Sequence, residues 1–143
     1  MLALFANVLI VLSTLQTGPA GWEIFEKTRF HWEFSEELEL EVQMPYFDSK
    51  IKTMDGSKVE LTGFYLPLKL EGNRIFLSKM PYAACFFCGG DAGPESIVEV
   101  AFESVQPPFR MDDLLTIQGT LVLNKDDLDH MVFILEDAKL IKR

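Results

Sequence analysis

Between Lys58 and Ile141 the chain is cut into five short extended segments, and nothing between them is long or periodic enough to serve as a crossover helix. Lys58 to Leu70 is a long extended run in which Pro67 requires an edge or a bend. Glu71-Gly72-Asn73 supplies turn residues that tolerate positive φ, and Arg74 to Ser78 returns as the next strand. Ile97 to Phe102 is a third strand, after which Pro107-Pro108 breaks the chain. Leu114 to Leu123, with Gly119 inside it, and Met131 to Ile141 complete the set across the connection Asn124 to His130. Five short strands, a long bent first member and glycine within a strand predict a mainly β fold: a small, closed or nearly closed five-stranded barrel of the oligonucleotide/oligosaccharide-binding-like (OB-like) kind.

Residues 21–57 read as a short α+β extension ahead of the barrel, which spans 58–143. Trp22, Ile24 and Phe25 suggest an amphipathic turn. Phe30 to Phe34 alternates apolar with polar, and Leu38 to Val42 repeats the pattern with Glu toward solvent and aliphatics expected inward, against something larger. Asp48 or Ser49 is placed to cap a short helix running to about Met54, and Asp55-Gly56 turns the chain. The 143 residues suit a single core.

Residues 2–12 are almost wholly apolar, and the first charged side chain is Glu23. An apolar run of this length followed by Gly18-Pro19-Ala20 predicts a secretory leader over 1–20, cleaved before Gly21, and export to the periplasm. Tethering to the inner membrane by an uncleaved leader is the alternative, and membrane contact is expected only through that segment.

The formal charge of −9 and the lack of any clustered Lys/Arg run exclude nucleic acid as a natural partner. Twelve Phe, with 48% hydrophobic residues overall, exclude a disordered acidic tail. No Gly-x-Ser-x-Gly elbow is present, and neither His has a sequence context that would place it in a catalytic triad. Gly89-Gly90-Asp91-Ala92-Gly93 lacks the following Lys of a phosphate loop and carries acid instead; it reads as a run that lets the loop fold back on itself.

Met54 to Leu68, with its Gly63-Phe64-x-x-Pro67 segment, together with Phe76-Leu77, Cys85 to Glu95 and Leu115 to Gly119, resembles an uncharacterised family of exported bacterial proteins. The resemblance covers about residues 43–142 and implies an OB-like barrel and export. Some members of the broader group carry a single Cys followed by His and a proline run in the corresponding loop. Cys88, Gly89 and Gly90 stand there in this chain, so the resemblance transfers a fold and a location and no ligand set.

The one chemically pointed feature is Cys85-Phe86-Phe87-Cys88 at the entrance of the Gly-rich stretch Tyr82 to Glu95, the longest irregular segment. The spacing suits a small disulfide ring, half of a soft-metal site such as zinc, or an exchangeable redox pair with Cys85 attacking and Cys88 resolving. Zinc needs about four ligands, and Asp91, Glu95, His31 and His130 are the donors that could complete it. A redox pair of the helical kind is disfavoured, because the glycines and Pro94 after Cys88 argue against a helix there. Phe64, Tyr82, Phe86 and Phe87 are the expected contacts for a protein partner or small ligand at the barrel mouth, against the plainer use of Phe as core. Asn124, Asp126, Asp127 and Asp129 lack the Gly and Glu of a calcium loop and read as a solvated turn. The expectation is therefore a small exported binding or accessory module whose cysteine loop is its functional edge, with thiol–disulfide exchange as the competing activity.

Overall fold

A computed structural model describes residues 18–143. Of the leader expected over 1–20, residues 1–17, with the apolar run 2–12, lie outside that range, and Gly18 to Ala20 lie within it. The chain is mainly β: strands β1 (Arg29–Ser35), β2 (Leu40–Tyr46), β3 (Lys58–Leu66), β4 (Arg74–Ser78), β5 (Ile97–Phe102), β6 (Leu114–Leu123) and β7 (Phe133–Lys142), with one short helix, α1 (Ser49–Lys52). No helix among the described residues is long and apolar enough to cross a membrane.

Strands β3 to β7 form a closed barrel in the order β3-β4-β5-β7-β6, sealed by antiparallel pairing of β3 with β6. Every neighbouring pair is antiparallel except β5 with β7. Alternation along the strands separates two apolar groups. Val59 and Leu61, Leu77, Val98 and Val100, Leu115, Ile117 and Leu121, and Phe133 and Leu135 fill the interior. Leu66 and Ile97, with Phe76 against them, belong to a second cluster on the outward side.

The extension adds to the interior core through its base. The 3-10 turn Trp22–Ile24 buries Trp22, and Phe25 stacks on Phe133 at 4.3 Å between ring centroids. Each such ring removed from water contributes about 1.5–3 kcal/mol. Ala20 exchanges two backbone hydrogen bonds of 2.9 Å with Thr62, alongside β3. Asp48 caps α1 by accepting from the Ile51 N–H at 2.9 Å.

β1 and β2 pair only with each other, as a separate two-stranded sheet. Their strand character follows the alternation, but the expected inward packing of the aliphatics does not hold: Leu38 and Leu40 are exposed. Pro45, at the root of the hairpin, is buried, and Phe30, Ser35 and Val42 to Met44 are half-buried.

Candidate functional site

The segment 79–96, between β4 and β5, is closed at its base by the Lys79 N–H donating to the Ser96 carbonyl at 2.9 Å. Two 3-10 turns, Tyr82–Ala84 and Phe86–Cys88, give it a compact course. Gly89 takes φ +80°, and a Cβ on Gly90 would stand 2.5 Å from the Ala84 carbonyl oxygen. The loop thus folds back over its own entrance, and only glycine permits that approach. A 2.7 Å hydrogen bond from the Tyr82 N–H to Asp112 Oδ1 ties it to the segment before β6.

Cys85 and Cys88 are joined as a disulfide. Their environments differ sharply. Cys85 is 0% exposed, packed with Leu66 and Ile97 and flanked by Tyr82, Phe86 and Phe76, whereas Cys88 is exposed. Phe87 is 44% exposed and leans on Phe76 and Phe86, with ring centroids 5.1 and 5.3 Å away. The loop therefore lies across the outward residues of β3, β4 and β5. This corrects the expectation of a loop at the barrel mouth: in β4 the alternation sends Leu77 inside and Phe76 outside, and the loop's aromatics cover the outside ring. Tyr82, Phe86 and Phe87 do gather there, while Phe64, half-buried, joins neither apolar cluster.

The four expected extra donors are not assembled around the cysteines. His31 stands on the hairpin beside Glu33 at 3.3 Å. His130 bonds to Glu99, as described below. With both sulfurs spent on each other, and with no group of three His, Cys, Asp or Glu side chains disposed to hold a metal among the described residues, Asp91 and Glu95 have no ligand set to complete. The oxygen-rich segment before β7 is turned inward on itself: Asn124 Nδ2 donates to the carbonyls of Asp127 and Met131 at 2.7 and 3.1 Å, and its Oδ1 accepts from the Asp127 N–H.

Sequence reasoning missed the most heavily bonded carboxylate in the molecule. Glu99, in the middle of β5 and 2% exposed, accepts from Arg74 Nη1 at 2.6 Å and His130 Nδ1 at 2.8 Å on one oxygen, and from the Met131 N–H at 3.0 Å on the other. Arg74 also reaches Glu136 at 3.1 Å. Burial pulls the Arg74 guanidinium down, but its hydrogen bonds to Glu99 and Glu136 outweigh that and hold it above its ordinary value. Because an ionised Glu99 can only accept, it fixes the Nδ1–H tautomer of His130. The signal was a lone Glu inside the apolar run Ile97-Val98-Glu99-Val100, since a charge is buried only when paired. The cluster anchors the β6–β7 connection to the barrel wall, next to the cysteine loop.

No protein-family profile, curated protein or solved structure matches the chain significantly.

Proposed function

We propose that the chain is an exported accessory module in which an OB-like barrel serves as the frame for a disulfide-clasped recognition loop, the outer edge Phe87-Cys88-Gly89 being its contact with a protein partner or small ligand. The observation that supports this is the unequal burial of the two cysteines: Cys85 is sunk into the outer wall while Phe87 and Cys88 face solvent. A clasp of that kind spends one sulfur on anchorage and leaves the rigidified edge for recognition, which lowers the ordering cost of binding. The strand order supports the OB-like reading. Numbered within the barrel, the strands run first, second, third, fifth, fourth, with the third and fifth parallel. OB-fold barrels bind on the face of their second and third strands, flanked by the loops that join the first to the second and the fourth to the fifth. Those strands here are β4 and β5, whose Phe76 and Ile97 lie under the cysteine loop.

Thiol–disulfide exchange is the second reading, and the burial runs against its role assignment. Cys85, the expected attacking thiol, is the inaccessible one. Attack on the exposed Cys88 sulfur would expel the Cys85 thiolate into apolar surroundings, where it is a poor leaving group.

Expression in a bacterium with an export pathway, followed by fractionation, thiol trapping and an insulin-reduction assay, separates these readings. An accessory module gives a periplasmic chain that gains about two hydrogens on reduction and does not speed insulin reduction. Insulin turnover that disappears in Cys88→Ser assigns exchange instead. Cytosolic retention with both thiols free overturns the export reading.

A further inference from the structure

We propose that the β1–β2 hairpin is a docking arm for a basic, extended segment of a partner protein. An isolated two-stranded hairpin is marginal in water, and natural proteins cover or blunt such elements. This one keeps apolar groups in solvent. Phe30, Trp32 and Phe34 share a face, opposite Pro45, Gln43 and Glu41, and beyond the buried root Trp32 and Phe34 are 63% and 62% exposed. Leu40 and Tyr46 are exposed on the other face. The outer edges of both strands have no neighbouring strand among the described residues, so their backbone groups are free for strand addition.

Charge selects the occupant. Residues 29–46 carry Arg29 against Glu33, Glu36, Glu37, Glu39 and Glu41, five acids that line the tip and flank the aromatic stripe. A second copy would bring the same acids together, and an anionic lipid surface would be repelled for the same reason. The apolar N-terminal residues 2–12 carry no charge and gain nothing from the glutamates. A segment alternating Lys or Arg with aliphatic residues satisfies all three features. Its backbone adds to the edge, its apolar side chains cover Trp32 and Phe34, and its cations meet the glutamates and the Trp32 ring.

The probe is a fluorescently labelled ten-residue peptide alternating Lys and Val, whose anisotropy is followed as the full chain or a variant is added; in the parent, Trp32 emission gives a second readout against Trp22, which is buried and serves as the silent background. Saturable binding with a blue shift is expected, weakened at least about tenfold by Trp32→Ser/Phe34→Ser, by Glu37→Gln/Glu39→Gln/Glu41→Gln and by replacing the peptide with oligolysine. Both side chains of the double serine variant are exposed, so an unchanged melting temperature confirms that the barrel is intact. Equal binding of oligolysine with no effect of the serines reduces the arm to a plain acidic surface and overturns the proposal. So does a concentration-dependent dimer lost in the serine variant, or a blue shift of Trp32 on anionic or zwitterionic vesicles that the peptide does not compete.

Discussion

Trp22 and Gly63 fill one site between them: a Cβ added to Gly63 would stand 2.8 Å from Trp22 Cζ2 and 2.7 Å from the Ser78 carbonyl oxygen. The indole is held there by its Nε1–H, which donates to the Thr62 carbonyl at 2.9 Å. The glycine of the Gly-Phe-x-x-Pro segment is therefore a packing partner of the extension. Gly63→Ala is expected to displace the ring and to cost about 2 kcal/mol, as overpacking does. Denaturant unfolding measures the loss, and a red shift of Trp22 emission in Gly63→Ala/Trp32→Phe, where it is the only Trp, reports its cause. A variant as stable as the parent, with Trp22 emission unchanged, contradicts the close packing.

Removing the Glu99 carboxylate leaves Arg74, His130 and the Met131 N–H without their shared acceptor. Glu99→Ala is expected to destabilise the chain by about 3–5 kcal/mol, the range for breaking a buried ion pair from one side. Glu136→Gln removes the more exposed partner of Arg74 and is expected to cost about 1 kcal/mol or less. Equal effects of the two substitutions in urea unfolding would show that Glu99 is not the anchor.

Closing a ring as small as Cys85 to Cys88 restrains little of the unfolded chain, about 2 kcal/mol by the loop-entropy relation. Cys85→Ser/Cys88→Ser is thus expected to leave the barrel folded and to loosen residues 82–96 alone. Amide hydrogen exchange should show the faster positions confined to that loop, with the interior of β4 and β5 unchanged. Loss of protection across the whole barrel would make the disulfide a determinant of the fold.

The strand bounds of β4, β5 and β6 were legible because turn residues and prolines bracket them and alternation fills them. Alternation defines two faces without saying what covers each. Leu38 and Leu40 therefore pointed to a core that is not there, and the outward Phe76 gave no hint that a loop would lie on it. Cys-x-x-Cys spacing suits a ring, a half-site and a redox pair alike; only the burial of Cys85 beneath the loop separates them. Glu99 was passed over although it is a charge in an apolar strand, because its partners lie 25 and 31 residues away and meet it only through the register of β4 on β5 and the return of the chain into β7.

Asp113 carries the clearest acid-side dependence. The Arg110 backbone N–H donates to its Oδ2 at 2.8 Å, and Arg143 Nη2 lies 2.7 Å from the same oxygen; together they hold the carboxyl below its ordinary value despite some desolvation. A depressed folded-state value means that the stabilisation is complete above the unfolded carboxylate range and is lost as pH falls through the folded value. The difference in melting temperature between the parent and Asp113→Asn is therefore expected to be constant above about pH 5 and to shrink below about pH 4. A difference that stays constant down to pH 2 would detach this carboxylate from acid unfolding.

The backbone pairing of Ala20 with Thr62 puts a measurable cost on where the folded chain begins. A chain starting at Gly18 keeps both 2.9 Å hydrogen bonds, and one starting at Gly21 loses both. The Thr62 carbonyl retains Trp22 Nε1–H as a donor, while the Thr62 N–H exchanges the Ala20 carbonyl for water. A net hydrogen bond contributes about 1 kcal/mol. The Gly21 chain is thus expected to be about 1–2 kcal/mol less stable in urea, with the loss concentrated in the exchange protection of β3. Equal stability of the two chains would mean that the bridge contributes nothing and that the Trp22 anchor alone fixes the extension to the barrel.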